Sequence, residues 1–107
     1  MTAERKQMIM QAISRKAKEI TPAGSEVILF GSRARGDARD DSDWDVLILL
    51  DKDRITSNDI DEYTYPLWEM GLDYNESINT LLFTKDEWRR TSASPFNENV
   101  THDGIRL

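Results

Sequence analysis

The chain of 107 residues contains no cysteine, which excludes disulfides and thiolate metal sites. Its single histidine, His102, lies near the C-terminus and reads as an exposed, structurally neutral residue. No apolar stretch approaches the length needed to cross a bilayer. The opening "MTAERKQMIM" is charged and has no long apolar run, so it does not read as a signal peptide. These absences lead us to expect an intracellular, cytoplasmic protein with no membrane partner. There is also no internal repeat, no low-complexity tract and no linker, and the length suits a single domain spanning 1–107.

The residues present are those of a soluble globular chain, with 32% charged and 38% hydrophobic. The formal net charge is −6, and its distribution says more than its sum. Between Asp37 and Asp53 stand seven aspartates against Arg39 and Lys52. That potential repels a phosphate backbone unless cations intervene, so nucleic-acid binding is disfavoured. It suits a divalent cation, although a charge run alone is more often a solvated acidic loop.

Periodicity places the elements. Over residues 3–19, Ile9, Ile13, Ala17 and Ile20 recur at helical spacing, with Thr2 as N-cap and Pro22 and Gly24 as breakers. "EVILF" (26–30), "WDVLILL" and "SINTLLF" are short apolar runs that read as strands. Between the second and third, Ile60, Tyr63, Leu67 and Met70 form a helical stripe. Ser57 is a candidate cap for it, and Pro66 is expected to kink or divide it. "KDEWRR" reads as a helix start, and a short helix beginning near Ser94 or Pro95 and ending at Gly104 closes the chain. The alternation implies an α/β (α+β) fold in which a small mixed sheet is covered by helices, with strand order undetermined.

The chemistry concentrates in "LFGSRARGDARDDSDWDVLILL" (29–50). Gly31 follows a strand directly and lets the backbone turn sharply and approach a ligand closely. If a short helix starts at Ser32, that hydroxyl and the first free N–H groups face an incoming phosphate. Arg33 and Arg35 either add cationic donors or pair with Asp37, Asp40 and Asp41. Arg33 is the stronger phosphate candidate of the two. Asp43 and Asp45 are separated by one residue, so in a strand they stand side by side on one face. Unpaired, they repel and raise each other's pKa. Mg²⁺ or Mn²⁺ bound by these hard oxygens would remove the conflict and hold phosphates as well. Trp44, between them, points to the opposite face and into the core. Trp68 and Trp88 read as packing residues or as part of a partner surface.

Gly31–Ser32, then after ten residues, the last of them Ser42, Asp-x-Asp and an apolar strand resemble the signature of the DNA polymerase β-like nucleotidyltransferase superfamily, most of all its minimal single-domain members. The resemblance extends to the ending "SPFNENVTHDGIRL". It implies a nucleotidyltransferase-like fold and Mg²⁺-dependent transfer of a nucleoside monophosphate, AMP from ATP first among the triphosphates, to a hydroxyl. Gly31, Ser32, Arg33 and Ser42 would bind the nucleotide. Asp43 and Asp45 would be the catalytic metal ligands. Minimal members commonly pair with a small helical protein as the antitoxin half of a toxin–antitoxin system, which makes such a partner an expectation here.

One position departs from that pattern. The superfamily carries a third carboxylate on a neighbouring strand, and in "SINTLLFTKD" that place falls on Asn79. Asn lends a carbonyl oxygen but no charge, and it cannot take a proton. Glu76 is three positions away and points off the other face. The competing reading is therefore a catalytically weakened nucleotide-binding or regulatory module. Aminoglycoside-type small-molecule transfer ranks last, because enzymes of that kind generally add a helical domain for the acceptor.

Overall fold

A computed structural model describes residues 1–107. The element order is α1 (Ala3–Ile20), β1 (Glu26–Phe30), α2 (Ser32–Arg35), β2 (Trp44–Leu50), α3 (Ser57–Asp73), β3 (Ile78–Thr84), α4 (Lys85–Arg90), α5 (Pro95–Asp103) and β4 (Ile105–Arg106). The four strands form one mixed sheet in the order β3-β2-β1-β4. β1 runs antiparallel to β2 and β4, and β2 runs parallel to β3. A parallel pair needs a crossover, and α3 supplies it. No helix is long and apolar enough to cross a membrane.

The two faces of the sheet follow from strand alternation. On one face, Trp44, Val46, Ile48 and Leu50 of β2 meet Val27 and Leu29 of β1, covered by Ile9, Ile13 and Ala17 of α1 and by Tyr63 and Leu67 of α3. On the other, Ile28, Leu47 and Leu49 pack with Val100 of α5 and with Phe83 and Trp88. Asp43, just before β2, and Asp45, near its start, belong to this second face.

Local chemistry sets the helix ends. The Thr2 hydroxyl accepts from the Arg5 N–H at 3.0 Å, as expected of an N-cap. α3 is capped by Thr56, one residue before the expected Ser57. Thr56 and Asp59 form a reciprocal capping box, and Asp59 is further held by Lys52 at 2.8 Å. Pro66 neither divides nor ends α3, which is unbroken from Ser57 to Asp73. The carbonyl that loses its donor belongs to Glu62, an exposed residue that water can serve. α5 starts at Pro95 after the Ser94 cap and ends at Gly104. Beyond it, Ile105–Arg106 adds a strand the periodicity did not reveal, too short to show an alternation.

Candidate functional site

The site forms where β1, β2 and β3 end together. β1 leads into a turn at Gly31, whose φ of 74° favours glycine. A Cβ there would collide with Oδ2 of Asp45, so the turn lies directly against that carboxylate. Phe30 pairs with Asp45 across the antiparallel ladder, and Asp45 pairs with Asn79 across the parallel one. Asp43, just before β2, accepts a hydrogen bond from Asn79 Nδ2 at 2.9 Å. Asp43, Asp45 and Asn79 thus share one face beside the Gly31–Ser32 turn.

Electrostatics at this face are unbalanced. The Asp45 carboxyl is held above its ordinary pKa, first by burial and then by the charge of Asp43. The Asn79 amide and the Arg35 guanidinium pull in the opposite direction and do not offset it. Two carboxylates with one donor between them form an incomplete charge set, and a divalent cation fits it. No group of three or more acidic, histidine or cysteine side chains is placed to hold a metal ion; this face offers two carboxylates and one neutral amide. Ser32 opens α2 with its hydroxyl unpaired within the chain, and the first amides of a helix lack intrahelical acceptors.

Two of the expected nucleotide ligands make contacts within the chain itself. Arg33 is buried and faces away from the carboxylates. Its guanidinium stacks over Trp44 at 4.9 Å and donates to the carbonyls of Ser42 (2.9 Å) and Asp40 (3.3 Å). Glu76 completes this arrangement at 3.8 Å from Arg33 while accepting from Trp44 Nε1 at 3.3 Å. Arg5 also reaches Glu76, at 3.5 Å, and donates to the Tyr74 carbonyl. Arg33 is therefore a clamp beneath the 40–42 loop and is not placed to hold a phosphate. The Ser42 hydroxyl accepts from the Arg39 N–H at 2.8 Å within the loop and keeps its own proton free to donate. Spacing could not reveal either assignment, because a one-turn helix gives no periodicity to say which arginine turns inward.

Arg35 is the arginine on the side of the carboxylates. It is exposed and bonded to Asp37 at 3.3 Å. A cavity of about 210 Å³ opens beside it, walled by Phe30, Gly31, Arg35, Phe96, Asn99 and Asp103. Phe96 meets Phe30 edge-on at 5.5 Å. The α5 wall was not foreseen, since its residues read only as a terminal helix.

The profile of the nucleotidyltransferase domain family matches residues 10–99. The chain belongs to this family. A relative from Methanocaldococcus jannaschii, named "Putative protein adenylyltransferase", is 32% identical over 80 residues, covering 74% of this chain and 73% of its own. Among solved structures, a toxin–antitoxin crystallised with AMP-PNP superposes with a TM-score of 0.61 at 17% identity, over 98% of this chain and 72% of that one. A "putative nucleotidyltransferase" from Sulfolobus solfataricus gives 0.53 at 21% identity, over 96% and 82%. At these identities the structural likeness bears on the fold, which is that of the nucleotidyltransferases.

Proposed function

We propose that this nucleotidyltransferase transfers AMP from ATP to a hydroxyl of a partner protein, as the antitoxin half of a toxin–antitoxin pair. The observation that carries the reading is the pairing of Asp43 and Asp45 on one face against the Gly31–Ser32 turn. The adenylyltransferase name of the archaeal relative and the AMP-PNP of the toxin–antitoxin neighbour favour adenine and a protein acceptor.

In this reaction the acceptor oxygen bonds to the α-phosphorus, the bond from that phosphorus to the bridging oxygen breaks, and pyrophosphate leaves. Asp43 and Asp45 would hold Mg²⁺ or Mn²⁺, which supplies charge neutralisation at the phosphates. Gly31 lets the turn approach the triphosphate, and the Ser32 hydroxyl and neighbouring amides donate to its terminal oxygens. Asn79 orients Asp43 through its amide and has no basic atom. The acceptor proton therefore passes to Asp43 or to water.

Asn79 also favours a second reading, in which nucleotide is bound and transfer is weak. Asn79→Asp separates the two. Pyrophosphate release by the unaltered chain with its partner, abolished in Asp43→Ala, supports the transferase. Release seen only after Asn79→Asp assigns the unaltered chain to the weakened class. The direct test is the mass of a co-expressed partner. Addition of one AMP is expected, absent with Asp43→Ala, and an unmodified partner in both cases contradicts the proposal.

A further inference from the structure

β3 closes one edge of the sheet. Natural proteins blunt such edges with lysine, proline, bulges or brevity. The opposite edge is blunted in this way, since β4 has only two residues. β3 has seven residues, Ile78–Thr84, with neither a charge nor a proline. Its free side offers an unprotected row of backbone donors and acceptors.

A groove opens beside the first residues of this edge, Ile78–Thr80. α3 borders it with Tyr65 and Trp68, 54% and 45% exposed, their rings 5.7 Å apart. With Asp61, Ile78, Asn79 and Thr80 they line an open hollow of about 480 Å³. The Thr80 hydroxyl is buried there without a hydrogen-bond partner, which is uncommon in a finished polar environment. Leu72, also on α3, is 57% exposed.

The helix that walls the groove, α3, carries charge of one sign. From Ile55 to Thr84 there are six acids and no lysine, arginine or histidine. Asp59 and Glu76 are paired with basic residues from outside that segment. Asp61, Glu62, Glu69 and Asp73 make no salt bridge. Two copies joined through β3 would bring these acids together within about a Debye length, roughly 8–10 Å, which disfavours self-pairing.

We propose that the β3 edge and the α3 groove bind a basic, extended segment of a partner protein, which adds to the sheet as a fifth strand. Its backbone pairs with β3, an apolar side chain packs on the exposed Tyr65–Trp68 pair, and its lysines or arginines face the acids of α3. Asn79 belongs both to the groove wall and to the hydrogen bond with Asp43. A segment docked here therefore runs past the candidate site and presents a hydroxyl to it. This last step rests on the protein-acceptor reading above, whereas the docking does not.

The test uses the full chain without nucleotide or metal and a short labelled peptide alternating lysine and valine around one tyrosine. Fluorescence anisotropy is expected to show binding that weakens about tenfold or more with Trp68→Ala. Similar losses are expected when the peptide's lysines become glutamates, and when alternate peptide nitrogens are methylated to remove strand donors. Hydrogen exchange of the β3 amides should slow on binding. The methylated peptide needs no altered protein, so misfolding of a variant cannot obscure the answer. Equal binding of the methylated or acidic peptide overturns the proposal. So does β3 protection that rises with the concentration of the chain alone, which would assign the edge to a second copy. In a second arm with ATP and Mg²⁺ added, docking without any AMP transfer would overturn the transferase reading and leave the dock standing. Transfer to a partner that leaves β3 unprotected would do the reverse.

Discussion

Trp44 and Asp45 are adjacent in the chain and belong to different worlds. Trp44 is fully buried against α1 and α3, in a face whose charges are matched by Arg33, Glu76 and Arg5. Asp45 stands on the opposite face beside Asp43, where the charges are unmatched and the carboxyl is pushed above its ordinary pKa. One strand thus carries a solved packing problem on one side and an unsolved electrostatic one on the other. The difference teaches where to look for function: the satisfied face fixes the geometry, and the unsatisfied face awaits something from outside.

Breaking the satisfied face should have the largest effect on stability. Trp44→Ala is expected to cost about 3–5 kcal/mol, read from denaturant unfolding, because it empties a sealed volume and leaves Glu76 and Arg33 without their indole partner. Arg33→Ala comes next, at about 1.5–3 kcal/mol, since two loop carbonyls and Glu76 lose a charged donor. This variant sharpens the comparison. If Arg33 held a phosphate, its removal would weaken ATP binding while leaving the melting temperature unchanged. The expected result is loss of stability, with altered binding only as far as the 40–42 loop loosens.

Much of this division was legible in the sequence. Alternation along "WDVLILL" placed Trp44 inward and the two aspartates together, whereas Asn79 was set beside them by the resemblance to the superfamily's third-carboxylate position, and the ladder pairs it with Asp45. The first inference rests on a period of two, which a seven-residue strand expresses fully. What stayed hidden depends on tertiary contact. Arg33 is buried because carbonyls of a distant loop and Glu76 receive it, and nothing local in "SRARG" encodes that. The Ser42 hydroxyl accepts from the Arg39 amide of its own loop, a contact that spacing does not announce. β4 is too short for a pattern, and the Thr56 cap was masked by a serine beside it.

The unsatisfied face should respond in the opposite sense. Asp45→Asn removes a like charge, so at neutral pH and without metal it is expected to stabilise the chain, by up to about 1 kcal/mol. The sign follows from the raised folded-state pKa. The native state holds the proton more tightly than the unfolded chain, so stability falls as pH rises from the unfolded carboxylate value through the raised one. In the unaltered chain the melting temperature should therefore decline slightly over that interval. In Asp45→Asn this part of the decline should vanish.

The central claim is that Asp43 and Asp45 act as one seat for a cation carrying a nucleoside triphosphate. Calorimetric titration of ATP with and without Mg²⁺, into the unaltered chain and into Asp43→Asn and Asp45→Asn, tests it most directly. The account predicts binding that requires Mg²⁺ and weakens by about 10²-fold or more in either variant, the loss seen when one electrostatic stabiliser is removed from a preorganised site. Binding that ignores Mg²⁺, or that survives both substitutions, would contradict it.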